Sequence, residues 1–158
     1  MRFAAALPFL AAVVLLTGCA PGANGELRAL VDDVAPAERD TLACEWESNW
    51  GSGNDTKAYY RCSWFVPGKL PRVSRGILAR LTAHGFKVAC RSDAHTVEFI
   101  ANRGTTTIDI DVLADGFVNA RAVAPSDVDI PAGSLYVDIL ARKHVGAHMS
   151  ADARPPCA

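Results

Sequence analysis

Residues 42–66 carry two runs of period-two alternation on either side of a glycine-rich stretch, and this constrains the fold most tightly. Leu42, Cys44 and Trp46 alternate with Ala43, Glu45 and Glu47. Tyr60, Cys62, Trp64 and Val66 alternate with Arg61, Ser63 and Phe65. That period is the repeat of a half-buried strand, because successive side chains leave opposite faces. Residues 49–56 between them include Gly51, Ser52, Gly53, Asn54 and Asp55, the chemistry of a loop. A hairpin folded about Gly53 sets Cys44 opposite Cys62 and Trp46 opposite Tyr60. Directly opposed side chains of an antiparallel pair lie close enough for a disulfide.

The rest of the chain adds two helices and further strands. Leu27, Leu30, Val31 and Val34 recur at helical spacing among Arg28, Asp32 and Asp33, with Asn24 as the expected N-cap and Pro36 closing the segment. Pro67-Gly68 ends the hairpin, and residues 71–84 read as a second helix. Pro71 suits its first turn, Gly85 its C-terminal exit, and Val73, Ile77, Leu78 and Leu81 its apolar side. Strands are expected over 86–91, 96–101, 106–113, 117–123 and 135–139, with turns at Asn102-Arg103-Gly104 and Asp115-Gly116. Strands dominate and the helices are well separated, which predicts an α+β domain: a mainly antiparallel sheet with two helices packed on one face, stabilised by disulfides.

The N-terminus has a different character. Arg2 is followed by an uncharged apolar run over residues 3–16. The run is short of the roughly 20 residues that cross a bilayer core as a helix. A charged start, a short apolar run and a small-residue exit form a secretory signal. The exit is Leu16-Thr17-Gly18-Cys19, which resembles the lipobox of bacterial lipoprotein precursors. The resemblance covers the first 19 residues and is silent on the fold and activity of the rest. It implies that Cys19 is diacylated and becomes the mature N-terminus, on the extracytoplasmic side of the cell envelope. Two acyl chains anchor a protein stably where one holds it marginally. The expected organisation is a signal over 1–18, a tether over 19–25, one domain over 26–145 and an irregular tail over 146–158.

Removal of residues 1–18 leaves 140 residues, a length suited to one domain with its own core. The formal charge of -1 offers no basic excess for nucleic acid. Four cysteines remain beyond Cys19: Cys44, Cys62, Cys90 and Cys157. An even number in an exported chain points to two disulfides, with three possible pairings. The hairpin register favours Cys44–Cys62, which leaves Cys90–Cys157 to fasten the tail. Zinc sites draw on close cysteine pairs, and successive gaps of 18, 28 and 67 positions do not supply them.

Few residues suggest chemistry. All three tryptophans lie between Trp46 and Trp64. Trp46, Tyr60 and Trp64 share a face with two cysteines and are expected in the core. Trp50, at the mouth of the loop, is the candidate contact residue. Asp109 and Asp111 alternate with isoleucines, as a strand with a solvated acidic face would; Leu113 and Ala120 stand where a calcium loop needs ligands. His144 and His148 are four apart, but Gly146 between them argues for a solvated tail. Arg72, Arg75 and Arg80 form the expected solvated side of the second helix. No nucleophile elbow, zinc-protease motif, P-loop or dinucleotide glycine pattern is present. No metal or other cofactor is expected. The partners expected are the membrane, through the N-terminal lipid, and a protein or envelope component. The functional expectation is a non-enzymatic binding or envelope-associated lipoprotein. The alternatives are an envelope hydrolase with a site assembled from distant residues and a structural lipoprotein without a ligand.

Overall fold

The computed structural model describes residues 23–48, 56–114 and 130–144. Two helices and six strands follow in the order α1 (Ala23–Val34), β1 (Asp40–Ser48), β2 (Thr56–Pro67), α2 (Leu70–Ala83), β3 (Lys87–Ser92), β4 (Thr96–Arg103), β5 (Thr106–Leu113) and β6 (Ser134–His144). The strands form one sheet in the order β1-β2-β6-β5-β4-β3, and every neighbouring pair is antiparallel. Both helices pack on the same face of it. This is the expected α+β architecture.

Local chemistry accounts for the elements. Pro71 lies in the first turn of α2, where its missing N–H is no loss. The helix exits through Gly85 at φ +75°, a backbone conformation that side chains resist. Arg103 seals that end: its guanidinium donates to the His84 carbonyl at 2.6 Å and lies 4.6 Å from the Phe86 ring centre. Gly104, at φ +58°, makes the tight β4–β5 turn. α1 already runs at Ala23, so the helix includes the expected cap Asn24 and the end of the expected tether.

Strand alternation sorts side chains between the faces. Tyr60, Trp64 and Val66 of β2, Val137 and Ile139 of β6, Ile108 and Ile110 of β5, and Phe99 of β4 point toward the helices and are buried. They meet Leu27, Leu30, Val31 and Val34 of α1 and Ile77 and Leu81 of α2. Burial of each large apolar side chain contributes about 1.5–3 kcal/mol, so this layer dominates the stability. One row crosses the whole sheet on this face: Cys44, Cys62, Ile139, Ile110, Phe99 and Cys90. Cys44 and Cys62 are disulfide-bonded, with Cα atoms 4.2 Å apart. Cys90 is also disulfide-bonded.

The expected hairpin register holds, with Cys44 opposite Cys62 and Trp46 opposite Tyr60. The last strand, expected over 135–139, extends to His144, which is 6 % exposed. His144 is therefore a buried strand residue and not part of a solvated tail. His148, the strand expected over 117–123, and the tail lie outside the described residues.

Candidate functional site

The sheet face away from the helices is polar, and its centre is ordered by pairing that crosses strands. The register aligns Ser63 of β2, Asp138 of β6, Asp111 of β5, Glu98 of β4 and Arg91 of β3 in one row. Asp138 is only 3 % exposed. Arg61, two positions before Ser63, donates to it from Nε at 3.0 Å and from Nη2 at 2.8 Å. Ser63 Oγ donates to the same carboxylate at 2.7 Å, and Tyr136 donates to Ser63 Oγ at 3.0 Å. A buried carboxylate held by a two-pronged guanidinium and a hydroxyl has its charge and lone pairs satisfied. Burial is the largest single influence on Arg61 and opposes its charge, yet the hydrogen bond and charge of Asp138, with Tyr136 and Glu45, together outweigh it and hold the guanidinium pKa above its ordinary value.

Asp111 is placed differently. Burial, then the neighbouring carboxylates Glu98, Asp138 and Asp109, push its pKa up to about 6, against a smaller opposing effect of Arg61. Asp109, one row away, forms an ion pair with Arg142. The acidic face expected to be solvated is therefore half-buried and partly paired, because β6 brings Asp138 and Arg142 beside β5. Neither neighbour can be located by the spacing within residues 106–113. His144 closes this face at one end, with Nε2 3.2 Å from Thr107 Oγ1.

The sheet's outer strand β1 shows the opposite imbalance. Every residue from Asp40 to Glu47 is exposed. Trp46 is 62 % exposed and Leu42 38 %, and these are the exposed large hydrophobics among the described residues. The expected core position of Trp46 is thus corrected, whereas Tyr60 and Trp64 are buried as expected. Trp46 shares the inward-facing row of the sheet, but β1 is outermost and the helices do not cover that margin. Alternation reports which face a residue takes; it does not report which strand is at the edge.

On the polar face, where β1, β2 and β6 run side by side, lies a depression of about 230 Å³ lined by Glu45, Tyr59, Arg61, Leu140 and Arg142. Burial, with Glu45 and Glu47 nearby, raises the Tyr59 pKa. A second depression of about 260 Å³ lies by α2, with Glu38, Arg72 and Arg80 among its lining residues.

Among the remaining sequence candidates, Arg72 and Arg75 are exposed on α2 and Arg80 is half-buried. Trp50, Cys19 and Cys157 lie outside the described residues. Among the described residues, no group of three or more His, Cys, Asp or Glu is arranged to hold a metal ion, and no helix is long and apolar enough to cross a membrane. Comparison of the chain with protein-family models, curated proteins and solved structures finds no match.

Proposed function

We propose that this protein is a lipid-anchored, extracytoplasmic binding domain, held in the bacterial envelope through acylated Cys19. The Leu16-Thr17-Gly18-Cys19 exit supports the anchor. The Cys44–Cys62 bridge supports an oxidising compartment, since cytosolic thiols are kept reduced. Among the observations on the mature domain, the exposure of Trp46 carries the binding reading over a catalytic one. A large aromatic left 62 % exposed beside a filled core is a contact residue without its contact. Two charged pairs at the centre of the polar face are already committed to one another, Arg61 to Asp138 and Arg142 to Asp109, which leaves Asp111 without a cation of its own among the described residues.

Fractionation of cells expressing the wild-type chain and Cys19→Ala tests the anchor. The wild-type protein is expected with the membranes after a high-salt wash, and the variant is expected released. A Cys19→Ala protein that stays firmly in the membrane fraction overturns the lipid-anchor reading. Chemical cross-linking and capture from intact cells test the binding reading. Trp46→Ala is expected to lose the captured partner while its melting temperature is unchanged.

A further inference from the structure

We infer that β1 receives an extended, basic segment of a partner protein as a seventh strand of the sheet. The inference rests on the binding reading above and names the partner class it implies. Among the described residues β1 pairs with β2 alone, so alternate N–H and C=O groups along the strand point away from the described sheet. Exposed edges of this kind are blunted by proline, by charged side chains, above all lysine, or by a bulge; β1 has no proline or lysine, and its charges are all acidic. Its single irregularity is the register shift between Thr41 and Ala43. The Cys44–Cys62 bridge fastens the strand to β2 at mid-length, so the edge is held extended before anything binds it.

Charge selects the occupant. Asp40, Glu45 and Glu47 are exposed on this strand, and no Lys, Arg or His among the described residues lies within ion-pair distance of them. Glu45 and Glu47 leave one face and Trp46 the other. An added strand that alternates basic and apolar residues therefore meets both, its cations opposite the carboxylates and its apolar side chains on the indole. A second copy would set one acidic strand against another, and an anionic membrane would meet the same carboxylates.

The test is to pan the mature, oxidised chain against a display library of random peptides of roughly ten residues. Enriched peptides are expected to alternate Lys or Arg with apolar residues. One such peptide should shift the amide resonances of residues 40–48 and slow the exchange of their outward amides. Glu45→Lys with Glu47→Lys should weaken it about tenfold or more with an unchanged melting temperature, and methylation of alternate peptide nitrogens should abolish binding. Any of four results overturns the inference: no enrichment, binding that survives the double charge reversal, shifts confined to the depression around Arg61 and Arg142, or self-association that the same reversal abolishes. A partner captured from cells through Trp46 but unaffected by the double charge reversal would overturn this inference while leaving the binding reading intact. Loss of all capture would overturn both.

Discussion

The centre of the polar sheet face and the outer strand β1 break the usual rule of burial in opposite directions. At the centre, charged and hydroxyl groups are buried: Asp138 is 3 % exposed and Ser63 8 %. At the edge, less than 20 Å away by strand spacing (~5 Å per strand), a tryptophan is left in water. At the centre the Asp138 carboxylate is fully compensated, whereas Asp111 beside it is not. Asp138 takes hydrogen bonds from Arg61 and Ser63, and Ser63 in turn takes one from Tyr136. At the edge Trp46 stays in water, and Glu45 and Glu47 form no ion pair with a described residue, although Arg61 stands opposite Glu45 in the register. Satisfied polar groups inside a sheet specify the register of the fold, whereas unsatisfied surface on a pinned strand is available to something else.

Substitutions should separate the two regions by size and sign. The largest loss is expected at the centre: Asp138→Ala leaves the Arg61 guanidinium without its partner at a site only 14 % exposed, at a cost of about 3–5 kcal/mol by denaturant titration. A loss below about 1 kcal/mol would mean that the network does not hold β2 to β6. Trp64→Ala, in the core, should cost a similar ~3–5 kcal/mol. Removal of the Cys44–Cys62 bridge by paired alanines opens a closure of 18 positions and should cost about 3 kcal/mol in the same titration.

Asp111 gives a smaller effect of opposite sign. Its pKa in the fold, about 6, lies above the ordinary carboxyl value of 3.8. The folded state therefore holds the proton more tightly than the unfolded chain. The stability linked to that proton is fully present below pH about 4 and is lost as pH rises through about 6. Asp111→Asn should flatten this part of the stability–pH curve and stabilise the domain near pH 7 by about 2 kcal/mol. A variant with an unchanged slope between pH 4 and 6 would place the titration elsewhere. Least affected should be Trp46→Ala, within about 0.5 kcal/mol of wild type in the titration that registers the Trp64→Ala loss.

What the sequence made legible was whatever depends on near neighbours. The period-two runs around residues 51–55 revealed the hairpin and its register, because a single turn centre determines every pair from Ala43 to Ser48; the shift between Thr41 and Ala43 left no local sign. Pro71 and Gly85 marked the second helix to within a residue at each end. Burial at long range was not legible. Asp138 sits in the run Leu135-Tyr136-Val137-Asp138-Ile139-Leu140, and nothing local shows that Arg61, 77 positions earlier, will lie across it. His144 reads as tail because Gly146 follows so closely, yet the ladder to β2 and β5 continues up to it. Trp46 and Trp64 look alike in sequence. Their fates diverge because, among the described strands, β2 lies between two neighbours and β1 beside one.

Amide hydrogen exchange along β1 in the isolated, oxidised domain tests most directly whether this strand is both pinned and open. A pinned open edge should exchange in alternation over residues 40–48. Amides aimed at β2 should be protected nearly as well as the centre of the sheet, and the amides between them should exchange close to the rate of an unstructured peptide. Uniform protection would mean that another part of the chain covers the edge, and uniform rapid exchange that the bridge does not hold the strand; either result would contradict an edge kept ready for a partner.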